Sequence, residues 1–295
     1  MTFSHPIYLV LLTPLMLLTC CSTSAPLPPN TSEVSYLATD RRPFLKTGKN
    51  GEGRLLWLID SGATQSFLFT DGSRLPDSVT LGKKTRSTQI HGLTTMRKIS
   101  SSRFRIVGQN HPPITGYTHG KKESLRPIRF HGVIGLNTLK KEHAVLSIAQ
   151  KQLAWQQHHS AANTSAGIRL QTHPASGHLI LDGLIDGHAV RLIVDTGAAR
   201  SMISFRTATK LGLKLRSSRK SISGVYHKVV AMGRTKNVKL SIPSSGNTYS
   251  TEFTVTDLTN ITNAKRLKDI DGLIGYDFLQ SHFSAIDFGH GQLKY

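Results

Sequence analysis

The sequence predicts an all-β chain in which one unit is repeated. Three observations carry that expectation. Beyond its N-terminus the chain reads as short apolar runs broken by glycine, with few stretches of helical periodicity. Two stretches in opposite halves, Leu58-Ile59-Asp60-Ser61-Gly62-Ala63 and Ile193-Val194-Asp195-Thr196-Gly197-Ala198, each end an apolar run in a carboxylate, a small hydroxyl residue and a glycine. Around them the halves correspond in order and without large gaps.

Residues 1–25 read as an export signal. Ile7 to Leu18 is apolar apart from Thr13 and Pro14, too short to span a bilayer, and is followed by small and polar residues up to Ala25. Cys20 and Cys21 follow Leu17-Leu18-Thr19, a setting similar to a bacterial lipobox, which makes them the lipidation candidates. The alternative is cleavage after Ala25 and free secretion. The expected location is the bacterial periplasm, with membrane contact only through a lipid anchor. These are the only cysteines, so the exported chain has no disulfide and must be held by packing.

Residues 26–42, rich in Pro, Ser, Thr and Asn, read as a tether. An N-terminal lobe is expected over 43–155, a polar linker over 156–176 and a C-terminal lobe over 177–295. The clearest hairpin runs from Leu179 to Val194 around the turn dipeptide Asp186-Gly187, and its second strand delivers Asp195. The repeat sets His131-Gly132-Val133-Ile134-Gly135-Leu136 over Asp271-Gly272-Leu273-Ile274-Gly275-Tyr276. It also sets Gln152-Leu153-Ala154-Trp155 over Gln292-Leu293-Lys294-Tyr295, and Ile90-His91-Gly92-Leu93 over Ile222-Ser223-Gly224-Val225.

A formal net charge of +20, spread over both halves, ordinarily invites a nucleic-acid reading. Export argues against it, so no nucleic acid is expected. The charge points instead to anionic envelope surfaces or acidic substrates, or is simply a solvated basic face.

Hydrolysis by water needs one group to take a proton and another to protonate or polarise the scissile carbonyl. Two carboxylates held close together do both, because they resist ionising together and share a proton. Asp60 and Asp195 are the candidates, provided the repeat brings them face to face. Ser61 and Thr196 would brace the two loops, while Gly62 and Gly197 would let the backbone approach the carboxylates. Ala63 and Ala198 have no side-chain hydroxyl to stabilise the ionised form, which points to activity at weakly acid to near-neutral pH.

These residues resemble those of the pepsin and retropepsin clan of aspartic proteases, specifically the bacterial retropepsin-like proteins. The resemblance implies two pseudo-symmetric β-barrel lobes with a cleft between them, and an aspartic-type endopeptidase using a water activated by both aspartates. It implies a polypeptide substrate and no cofactor. Val133-Ile134-Gly135 and Leu273-Ile274-Gly275 match the element that supports the catalytic loops, and Gly92 and Gly224 match the flap tips. The sequence departs from the pattern at His131, which stands where the second lobe has Asp271. It departs again at the Gly-rich, charged approach from Lys46 to Arg54, and at Arg200, which would bias the cleft toward acidic substrates.

A monomer is expected. The alternatives are a dimer using two copies of Asp195, or a non-catalytic basic envelope protein that binds peptide or polymer on the same fold. No metal is expected: His-Glu-x-x-His is absent, and His158-His159 sits in the polar linker. Gly116 to Lys122 lacks phosphate-loop spacing, and no Gly-x-Ser-x-Gly occurs.

Overall fold

A computed structural model describes residues 31–37, 40–49, 52–69, 79–89, 92–101, 105–106, 109–110, 115–119, 124–125, 128–156, 167–217, 221–223, 228–259 and 267–295. Nearly all regular structure in them is β-strand, with short helices at Leu136–Lys141, Phe205–Lys210 and Tyr276–His282. None of the described helices is long and apolar enough to cross a membrane.

Two large sheets contain one strand order twice. In the first, the hairpin Asp40–Lys49/Glu52–Asp60 is followed by Gly132–Gly135, Ser66–Phe69, Thr115–His119 and Gly92–Ser101. In the second, the hairpin Leu179–Ile185/His188–Val194 is followed by Gly272–Ile274, Met202–Ser204, Thr254–Thr256 and Lys228–Thr235. In both, the strand ending at the aspartate runs parallel to the strand that carries the apolar-apolar-glycine element. The expected turn forms at Asp186 and Gly187, both at positive φ (48° and 86°).

The motif strands read as unbroken apolar runs because both of their faces are covered. Trp57 and Ile59 face the main core and Leu58 a second cluster with Phe44, Phe130 and Val133. Likewise Leu192 and Val194 face the main core, and Ile193 a cluster with Ile180, Met202 and Leu273. The main core draws on both halves of the chain, from Trp57, Ile134 and Leu139 to Leu192, Ile274 and Phe278.

Two expectations about connecting segments are corrected. Thr31–Leu37, within the expected tether, is a strand that pairs Thr31 with Ala154 and Val34 with Leu45. Its Val34 side chain is buried. In the expected linker, Gly167–Arg169 pairs with Gln292–Lys294, and Gln171–Thr172 with the Asp195 hairpin. Ile168, Leu170 and His173 are buried there. In each segment polar composition conceals one or two apolar anchors, Val34 in the first and Ile168 and Leu170 in the second.

Candidate active site

Each motif loop is built by the strand beside it. Ile134 pairs with Ile59 and Gly135 with Asp60; Leu273 pairs with Ile193 and Ile274 with Val194. Leu136 N donates to Ala63 O at 2.8 Å, and Tyr276 N to Ala198 O at 2.7 Å. Ser66 and Ser201 accept from the Gly135 and Gly275 amides, each at 3.0 Å. A Cβ at Gly135 would lie 2.3 Å from Gln65 O, and one at Gly275 2.4 Å from the Arg200 carbonyl carbon. Only glycine permits that approach.

The two loops grip each other. Ser61 Oγ donates to Val194 O at 2.7 Å, and Thr196 Oγ1 to Ile59 O at 2.8 Å. In return the Ser61 amide donates to Thr196 Oγ1 and the Thr196 amide to Ser61 Oγ, each at 3.0 Å. Both side chains are fully buried, so every one of these polar groups depends on the other half of the chain.

Each aspartate thereby lies against the other motif's glycine. A Cβ on Gly62 would come 2.3 Å from Asp195 Cγ, and one on Gly197 2.2 Å from Asp60 Cγ. Asp60 Oδ1 accepts from the Ala63 amide at 2.9 Å; Asp195 Oδ1 accepts from the Gly197 and Ala198 amides at 2.8 and 3.0 Å. The backbone therefore supplies donors where the alanine side chains cannot. The alanines themselves pack on the apolar clusters beside each loop.

Burial pushes both carboxyls above the ordinary aspartate range. Asp195 rises further because it faces the charge of Asp60 and hydrogen-bonds to it. Asp60 is partly offset by the Ala63 amide, by that same hydrogen bond and by the charge of Arg42. Two carboxyls so placed resist ionising together.

Sequence reasoning missed two residues of this site. Extending the register that pairs Phe44 with Leu58 places Arg42 opposite Asp60; extending the pairing of Ile180 with Ile193 places His178 opposite Asp195. Both are buried, and both reach across. Arg42 Nη1 donates to Gly197 O at 2.9 Å, and His178 Nε2 to Gly62 O at 3.0 Å. The only signal for them is their register with the aspartates, which appears once the hairpins are paired.

His131 does for the first half what Asp271 does for the second. His131 Nδ1 accepts from the Leu56 amide at 3.0 Å, and Asp271 Oδ2 from the Arg191 amide at 3.0 Å. Ile134 and Ile274 are buried behind the loops, and Arg200 is exposed. Gly92 opens the strand Gly92–Ser101 and pairs with Gln89 in a hairpin. Gly224 lies outside the described residues, between the paired strands Ser221–Ser223 and Lys228–Thr235. Cys20 and Cys21 also lie outside them. Among the described residues no cluster of three His, Cys, Asp or Glu side chains could hold a metal ion.

The fold thus brings two Asp-hydroxyl-Gly loops together around a buried pair of carboxyls. Residues 181–278 match the protein family described as Aspartyl protease. No curated protein matches the chain.

Proposed function

We propose that this protein is an aspartic endopeptidase that hydrolyses peptide bonds with a water activated between Asp60 and Asp195 of the same chain. One observation carries the reading: each aspartate lies against the other motif's glycine, so the two carboxyls meet within one polypeptide. That intrachain meeting favours a monomer over a dimer built on two copies of Asp195.

In this reading the pair holds one proton. The ionised carboxylate takes a proton from water while the water oxygen bonds to the scissile carbon, and the protonated carboxyl gives its proton to the carbonyl oxygen. The tetrahedral intermediate then returns a hydroxyl proton to a carboxylate. The C–N bond breaks as the nitrogen takes a proton from the other carboxyl. The pair ends with one proton again, so no cofactor is consumed. Because burial raises both carboxyls, the singly protonated state extends toward neutral pH, in line with weakly acid to near-neutral activity.

Asp60→Asn and Asp195→Asn should each abolish cleavage of an unfolded protein substrate while leaving the circular dichroism spectrum intact. Cleavage that survives Asp60→Asn overturns the intrachain pair. The proposal includes export. Fractionation of the wild type and the Cys20→Ala and Cys21→Ala variants separates a lipid anchor from free secretion, and a cytoplasmic wild-type protein overturns export.

A further inference from the structure

A chain of polar contacts runs from the first catalytic loop to the protein surface. His178 Nε2 donates to Gly62 O at 3.0 Å. His178 Nδ1 lies 2.8 Å from Ser176 Oγ, which lies 2.9 Å from His173 Nδ1. His173 Nε2 lies 3.1 Å from Asp269 Oδ1. The two histidines are 7 % and 4 % exposed, whereas Asp269 is exposed.

Both ends of this chain are acceptors, a carbonyl and a carboxylate. The four contacts therefore need four hydrogens. A neutral imidazole carries one N–H and a serine one O–H, so Ser176 and two neutral histidines supply one hydrogen too few. One extra proton closes the chain, whichever imidazole carries it. A second extra proton would turn N–H donors on Ser176 from both sides and set two buried cations against each other.

The surroundings decide where the proton rests. Burial lowers the His178 imidazole below the ordinary histidine range, outweighing its bond to Gly62, and the charges of His173 and Lys140 push the same way. Lys140, on the helix Leu136–Lys141, sits alongside through Thr172 Oγ1 and Gly177 O at 3.0 and 3.2 Å. At the outer end Asp269 pairs with Arg191, which also reaches Asp182. Slight burial works against ionisation of Asp269, but His173 and Arg191 outweigh it and hold the carboxyl below its usual range. Burial and these charges disfavour a cation at His178, which holds the loop as the neutral Nε2–H tautomer.

We infer that His178 is a positioning residue for the Asp60 loop, and that the run of contacts bracing it from Ser176 to Asp269 is complete only while His178 and His173 together carry one proton more than two neutral imidazoles. The inference rests on the reading of Asp60 and Asp195 as the working pair. The opposite loop has no such dependence, because Arg42 grips Gly197 O with a permanent charge. When the extra proton leaves, one contact at Ser176 fails while His178 Nε2–H still donates to Gly62 O, so the Asp60 loop keeps its bond but loses the brace behind it. The wild type should thereby lose up to about tenfold in kcat/KM, the scale of one lost hydrogen bond, on top of the alkaline fall set by ionisation of the aspartate pair.

Asp269→Asn tests this directly. An amide there donates to His173 Nε2 and closes the chain with two neutral imidazoles. The ratio of wild-type to Asp269→Asn kcat/KM should fall by up to about tenfold from about pH 6 to the alkaline limb, since both proteins share the fall that ionisation of the aspartate pair imposes. His178→Leu should lower kcat/KM about tenfold near pH 6 and by less on the alkaline side, where the wild type has already lost the brace. His178→Gln should restore most of it, since its amide can donate to Gly62 O and accept from Ser176. Nitrogen-15 spectra of the histidines in the Asp60→Asn protein give a readout that does not need catalysis. They should show His178 protonated on Nε2 alone and His173 on both nitrogens near pH 6. A wild-type to Asp269→Asn ratio of kcat/KM that does not change with pH, or His178 protonated on Nδ1 alone, overturns the inference. A wild type that cleaves nothing overturns the protease reading instead, and the spectra still decide the proton count.

Discussion

Ser61 and Thr196 hold each other's strands: each hydroxyl donates to the carbonyl of the residue that precedes the other motif's aspartate, at 2.7 and 2.8 Å. Each oxygen also accepts the other's backbone amide. Thr196→Val keeps the shape and removes both roles, leaving Ile59 O and the Ser61 amide buried without that partner. The expected cost is about 2–4 kcal/mol, with Ser61→Ala similar, and Thr196→Ser should be close to neutral. The double variant should cost less than the sum of its parts, because both residues serve one network. Urea unfolding measures all four, and full additivity would show that the exchange is not a unit.

The raised carboxyl pair makes a stability prediction with a definite sign. A carboxyl whose folded pKa exceeds its unfolded value binds its proton more tightly in the folded state. Its contribution is favourable below the unfolded value, near pH 4, and is lost as pH rises through the folded value. Asp195→Asn removes that loss. The variant should be more stable than the wild type at neutral pH, by about 1–2 kcal/mol, and the gap should close as the pH approaches about 4. Thermal unfolding across that range checks it. A gap that widens toward acid contradicts the raised pair.

The motifs were legible because the chemistry restricts them. The loop needs a carboxylate, a hydroxyl that can both donate and accept, and a glycine where the opposite carboxyl leaves no room for a Cβ. The supporting elements at Ile134-Gly135 and Ile274-Gly275 were legible for the same reason. Arg42 and His178 were not, because each acts on the opposite half and neither belongs to a local pattern. Arg42 sat inside a stretch read as a tether, whose strand Thr31–Leu37 buries Val34 amid Thr, Ser and Glu. The second half of the expected linker was hidden likewise, since Ile168 and Leu170 are its only apolar anchors.

Gly62→Ala and Gly187→Ala should separate two uses of glycine. At Gly62 the added methyl collides with the Asp195 carboxyl, which must shift by a sizeable fraction of an ångström or more. Activity should fall by about 10²-fold or more, since misplacing a reacting group by about 1 Å has that effect. At Gly187 a Cβ meets nothing, but the backbone sits at φ +86°. The cost there should be about 1 kcal/mol of stability with kcat/KM unchanged. Peptide cleavage and urea unfolding on both variants make the comparison. Equal activity loss at the two sites would contradict the steric account.

His131 and Asp271 differ in chemistry yet perform one task, and substitution can show which property matters. Each accepts the amide of the neighbouring strand, Leu56 or Arg191, and each donates its own amide to that residue's carbonyl, at 2.7 and 3.0 Å. If the shared requirement is an acceptor, His131→Asp preserves it, and stability should change by less than about 1 kcal/mol. His131→Leu fills similar space but deprives the Leu56 amide of that acceptor, for an expected loss of about 1–3 kcal/mol. The strand from Leu56 leads directly to Asp60, so the loss should also lower kcat/KM, and His131→Asp should restore it. Finding the aspartate as damaging as the leucine would mean that the first half depends on the imidazole itself.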